Sequence, residues 1–145
     1  MNSLVSTRSS VNTIAEDLYV KGNLLFIDGT QLRTTNLRTI TTTIVGQESH
    51  GYREDYGTDA YFQTITGFVQ LTPDQVIVSD GSNFCMRLVN RKTRLTSPYA
   101  GKCKSSGYFD GAESRFNKPY GVIKDMVKKD TVIVADSGNN ALRSI

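Results

Sequence analysis

Few side chains in this 145-residue chain can do covalent or coordination chemistry: two cysteines, Cys85 and Cys103, and one histidine, His50. Two thiols are too few for a metal site built of cysteine alone, and a zinc centre would need both of them, His50 and a carboxylate to converge. The spacing around a hairpin turning near Arg94 instead places Cys85 opposite Cys103, where they form a cross-strand disulfide or remain two buried free thiols. A bridge implies an oxidising compartment, hence an extracellular protein or the ectodomain of a membrane protein; free thiols leave the cytoplasm as the alternative. Neither a catalytic residue nor a metal or other cofactor is expected from this inventory.

The charge pattern narrows the partners. Seventeen Lys and Arg against fourteen Asp and Glu give a formal charge of +3, with a basic cluster at Arg91, Lys92 and Arg94. Arg53, Lys102, Lys104 and Arg115 lie among Glu48, Glu54, Asp55, Asp110 and Glu113, so a nucleic-acid groove of one sign is not expected. No stretch reaches the roughly 18 to 20 consecutive apolar residues of a transmembrane helix, so no membrane insertion is expected in this segment. The first ten residues, from Met1 to Ser10, lack the apolar run of a secretory leader.

The elements that hold these residues repeat. Val76 to Val89 aligns without a gap on Val132 to Ile145, and Gly51-Tyr52 answers Gly107-Tyr108, both at an offset of 56 residues. Phe62 and Gly67 answer Phe116 and Gly121 at an offset of 54. A fainter copy runs through Leu24 to Asp28 and Leu32-Arg33 and ends at Gly46 where the second ends at Gly101. One domain of three units follows, over about 10–46, 48–101 and 103–145. Each unit carries runs of four or five apolar and β-branched residues closed by Asp-Gly or Asp-Ser-Gly, which is strand length. Pro98, in the strand returning from the Asn90–Thr93 turn, suits an outer edge, where a missing N–H costs no ladder bond. Short strands, four to a unit, predict an all-β fold of antiparallel sheets.

Asp110-Gly111, Phe116-Asn117-Lys118-Pro119-Tyr120-Gly121 and the run Val132 to Asp136, then Asn139 and Leu142-Arg143, resemble the NHL repeat. The second unit keeps Phe62, Gly67, Asp80, Asn83 and Arg87, with Ile65 in place of the usual proline; the first keeps Asn12, Asp28 and Arg33. The resemblance implies a partial β-propeller of four-stranded blades, the last one incomplete. It assigns Asp28, Arg33, Asp80, Asn83, Arg87, Asp136, Asn139 and Arg143 to blade architecture. In this reading Asp136 bonds the N–H groups of the turn 137–139, Gly138 supplies a positive φ, and Arg143 reaches a carboxylate or turn carbonyls. Phe62 and Phe116 are expected between blades.

Function on a repeated scaffold resides in its variable loops. Tyr52, Arg53, Tyr56, Lys104, Tyr108 and Phe109 are therefore the binding candidates, for a protein or glycan ligand. The chain is expected to be a non-catalytic interaction module. The resemblance also leaves open a propeller enzyme of lyase or hydrolase type and an RNA-binding NHL domain. Three blades leave two apolar flanks, so closure is expected from further blades in cis, as in a fragment, or from a second copy in trans.

Overall fold

The computed structural model describes residues 7, 9–37 and 40–145. The leader reading of the N-terminus falls mostly outside these residues. The described chain is almost all strand. β1 (Val11–Glu16), β2 (Leu24–Asp28), β3 (Gln31–Thr35) and β4 (Thr41–Val45) form one antiparallel sheet in chain order. β5 (Ile65–Thr72), β6 (Gln75–Asp80), β7 (Cys85–Asn90) and β8 (Thr96–Ala100) form the second. β9 (Pro119–Lys124), β10 (Val132–Asp136) and β11 (Ala141–Ser144) form a third, three-stranded sheet. The fold is thus all-β and resembles part of a propeller.

Alternation along the strands decides what lies between the sheets. Successive side chains of a strand point to opposite faces. Val76 and Val78 of β6 join Leu25, Ile27, Leu32 and Val45 of the first sheet, with Phe62, in one core cluster. Ile77, between those valines, faces the other way and packs with Met86, Phe116, Val122, Val132 and Val134. The second sheet is therefore buried on both faces, and Phe62 and Phe116, both wholly buried, fill the two inter-sheet layers as expected. Burying one such ring fully is worth about 2–3 kcal/mol in transfer free energy.

Polar bonds fix the stacking. Gln70 of β5 accepts from the Leu18 N–H at 3.1 Å and donates to the Glu16 carbonyl at 2.7 Å, and Tyr19 donates its hydroxyl to Leu71 O. Arg91, in the β7–β8 turn, pairs with buried Asp17 beyond β1. On the other side, Thr66 donates to Pro119 O at 2.8 Å and Lys124 to Leu71 O at 2.5 Å. Gly46 and Gly101 end β4 and β8 at φ of 90° and 82°, the left-handed region that glycine enters without steric cost.

The outer hairpin corrects one expectation. β7 and β8 pair Val89 with Thr96, Leu88 with Ser97 and Arg87 with Pro98; the register then shifts, and Met86 pairs with Ala100. Cys103 lies past the end of β8, in the turn that follows, so it is not a strand partner of Cys85. The disulfide does form, with the two Cα atoms 5.0 Å apart, but it ties the start of β7 to the connection leaving the sheet. The hairpin is centred between Lys92 and Thr93 rather than at Arg94, so counting back from Arg94 overshoots the true partners. Pro98 does occupy an outer edge strand, β8 being last in its sheet.

Candidate functional site

The repeated Asp and Arg of each unit, joined by an Asn in the second and third, converge on one arrangement. Asp80 ends β6, the chain makes a tight 3-10 turn at Gly81–Asn83, and Phe84 at φ 61° turns it into β7. Asp80 Oδ1 accepts the N–H groups of Gln63 and Thr64 at 3.0 and 3.2 Å. Its Oδ2 accepts from Asn83 at 2.8 Å and from Arg87 at 3.0 Å. Asn83 also donates to Gly51 O at 2.9 Å. Arg87, with no exposed surface, donates to the carbonyls of Tyr61 and Arg53, each at 2.6 Å, and pairs with Glu54 at 3.1 Å. Its guanidinium lies over the rings of Phe62, at 4.1 Å, and Tyr52, at 5.1 Å.

The third sheet repeats this bracket. Asp136 accepts from the Asn117 N–H at 2.7 Å, from Asn139 at 2.8 Å and from Arg143 at 3.0 Å; Asn139 donates to Gly107 O at 2.8 Å. Arg143 donates to the carbonyls of Arg115 and Phe109, pairs with Asp110 at 2.7 Å and lies over Phe116 and Tyr108 at 4.5 and 5.3 Å. In the first sheet Asp28 accepts from the Ser9 N–H at 2.9 Å and pairs with Arg33 at 2.5 Å. Each bracket ties the turn closing the inner hairpin to the segment entering the sheet. It pairs a buried carboxylate with a guanidinium, as burial of charge demands.

Two local expectations are corrected. The carboxylate of Asp136 is bonded to Asn117, Asn139 and Arg143 rather than to the N–H groups of turn 137–139. The turn closes on itself through the Asn140 N–H to Ser137 O, which leaves the carboxylate free for the neighbouring segment. The left-handed residue is Asn140, at φ 52°, and not Gly138. Glycine at 138 answers a close approach, since a Cβ there would lie 2.4 Å from Asn117 O.

Burial pushes the Asp80 carboxyl above its ordinary value, against the bonds from Asn83, Arg87 and Thr64. Burial, helped by the neighbouring Glu54 carboxylate, also raises the Tyr52 phenol. Both shifts follow from placing charge where water is excluded.

The predicted binding residues divide. Tyr52 is half-buried, wedged between Arg87 and the Lys104 ammonium, which sits 5.2 Å from its ring. Arg53 is exposed and paired with Asp55 at 2.6 Å. Tyr108 is 61% exposed and Phe109 59%, the latter beneath the Arg115 guanidinium at 5.4 Å. Tyr56 is exposed but lies apart, bridged to Leu95 at the start of β8. The connection from Cys103 to Asp110 thus carries Lys104 on one arginine bracket and Tyr108 and Phe109 at the next, and the disulfide pins its start. His50 donates from Nδ1 to Gln63 O at 2.7 Å, and no group of three or more His, Cys, Asp or Glu suited to a metal converges among the described residues.

Sequence reasoning missed the second carboxylate of each bracket, Glu54 and Asp110, and the rings of Tyr52 and Tyr108 as its covers. The signal was present: both pairs recur at the offset of 56 that relates Arg87 to Arg143. The Asp17–Arg91 clasp has no such signal, because it occurs once.

No protein-family model matches this chain, and no curated protein matches it. Solved structures do. A Bacteroides thetaiotaomicron protein provisionally described as a phosphatase is 25% identical, with a TM-score of 0.67 over 86% of this chain and 32% of its own. A protein of unknown function from the same organism gives 0.75 at 19% identity over 84% and 32%. An auxiliary nutrient binding protein, also from Bacteroides thetaiotaomicron, gives 0.72 at 19% identity over 85% and 34%. These likenesses agree with the all-β, propeller-like fold, and the chain spans about a third of the length of each of these proteins.

Proposed function

We propose that this chain is a non-catalytic, ligand-binding segment of an NHL-type propeller, presenting the connection from Cys103 to Asp110 to a protein or glycan. The observation that carries this reading is the pairing of a rigid frame with exposed rings. The arginine bracket and the disulfide fix the backbone at both ends of the connection, and Tyr108 and Phe109 still offer most of their surface to solvent. Rings held on a fixed backbone bind at low entropic cost, and exposed aromatics beside the guanidinium groups of Arg115 and Arg143 suit sugar stacking or a protein hot spot. The nutrient-binding description of one structural neighbour points the same way. The disulfide favours an extracellular or periplasmic setting.

A glycan array followed by calorimetry tests the reading. Binding that Tyr108→Ala and Phe109→Ala each weaken at least tenfold, with stability unchanged, is the expected result. Binding indifferent to both substitutions, or turnover of a phosphoester substrate lost in either, would replace it with a different site or an enzyme.

A further inference from the structure

The two ends of the sheets are unlike. β5 starts beside Asp80, at the end that carries the brackets and the connection from Cys103 to Asp110, and finishes beside Gln75 at the other. That second end carries the β1–β2 and β9–β10 loops, which are built on one plan. Asp17 Oδ1 accepts the N–H groups of Tyr19 and Val20 at 3.1 and 3.2 Å, and Asp125 Oδ1 accepts those of Val127 and Lys128 at 2.8 and 3.0 Å. Each aspartate donates its own N–H across the loop, to Asn23 O and to Thr131 O, both at 2.9 Å, and Gly22 and Asp130 turn the chain back at φ of 84° and 58°. The residues so presented are Leu18, Tyr19 and Val20, then Lys21, in the first loop, and Met126 and Val127, then Lys128 and Lys129, in the second.

The loops stand together. The Tyr19 hydroxyl and the Lys124 ammonium both donate to Leu71 O, near the end of β5, so the loops flank the tight β5–β6 turn. Met126 is 92% exposed and Val127 96%. Leu18 is 67% exposed even though the complete second sheet packs beside its loop and Gln70 holds its N–H, so the protrusion belongs to the loop and not to the lack of a neighbour. Around the tips Lys21, Lys92, Lys128 and Lys129 are exposed, against Asp74 and Asp130. Convex apolar tips on either side of a polar turn offer a protein partner no groove or continuous patch, whereas a fluid lipid surface moulds around them, and the ammonium groups beside them attract a negative one. We propose that this end of the molecule docks on the surface of an anionic lipid bilayer. Leu18, Met126 and Val127 enter the boundary between headgroups and acyl chains, and Lys21, Lys128 and Lys129 lie at the level of the phosphates. The connection from Cys103 to Asp110, at the opposite end of the strands, then faces away from the membrane. The inference does not depend on what that connection binds.

The test is sedimentation of the 145-residue chain with vesicles of phosphatidylcholine, alone or mixed with phosphatidylglycerol. Association is expected with the mixed vesicles only, and it should weaken as salt is raised. Leu18→Asp and Met126→Asp should each weaken it about tenfold, and Lys128→Glu combined with Lys129→Glu by more than that, with the urea midpoint of every variant unchanged. Because the chain contains no tryptophan, Met126→Trp adds a single fluorophore. Its emission should move to the blue on the mixed vesicles, and that of Tyr108→Trp should not. A chain that stays in solution with the mixed vesicles overturns the proposal. So does association indifferent to the loop variants, or a blue shift from Tyr108→Trp in place of Met126→Trp.

Discussion

The second and third sheets use the same bracket at different depths. Arg87 is sealed, with Glu54 largely covered; Arg143 makes the same bonds, but its Asp110 partner faces solvent. The difference shows that the Asp, Asn and Arg of a unit build the bracket from residues within that unit, whereas its burial depends on what packs outside. A buried ion pair broken on one side leaves an unpaired charge in a low dielectric, and the cost scales with the loss of water.

Arg87→Ala should accordingly destabilise the chain by about 3–5 kcal/mol, and Arg143→Ala by about half as much, both read from urea unfolding. Equal losses would mean that depth is immaterial. Phe62→Ala and Phe116→Ala make the same comparison through packing. Each is expected to cost about 3–5 kcal/mol, with Phe62 the higher because its cluster is enclosed by two four-stranded sheets.

The disulfide links the second unit to the start of the third and has no counterpart elsewhere in the chain. Replacing both Cys85 and Cys103 by serine should cost about 2–4 kcal/mol, and hydrogen exchange should speed up in the connection after β8 more than in β10 and β11. Uniform acceleration would make the bridge a global rather than a local restraint.

A pH titration separates the clasp from the brackets. Burial pulls the Asp17 carboxyl upward, but Arg91 and the N–H groups of Tyr19 and Val20 outweigh it, and the net shift is below the ordinary 3.8. A depressed carboxylate stabilises the fold above its unfolded pKa, and that stability is lost as pH falls through the folded value. As pH falls below about 4 the wild type should therefore progressively lose its advantage over Asp17→Asn in paired urea titrations. The smallest effect on stability, within about 0.5 kcal/mol, is expected for Tyr108→Ala and Phe109→Ala, whose rings are mostly in water.

Much of this was legible from spacing. The offset of 56 between Val76–Val89 and Val132–Ile145 located the inner hairpins, and the positions of Asp80, Asn83 and Arg87 followed, because a repeated tight turn demands repeated partners. Pro98 located the outer edge. What Asp136 bonds to was not legible: the turn behind it closes through Asn140, and its oxygens reach Asn117 instead, nineteen residues away. The place of Cys103 was misread because the hairpin turns between Lys92 and Thr93 rather than at Arg94, a displacement that an alternating pattern does not reveal.

By itself the sequence determined the strands, their order within each repeated unit, and the Asp–Arg pairs, because these depend on short-range alternation and on contacts inside one unit. Only the tertiary structure decided that Tyr52 and Tyr108 lie against arginines and that Asp17 clasps Arg91. Each of those depends on how separate sheets and connections stack, and a side chain's burial is a property of its neighbours rather than of its own place in the chain.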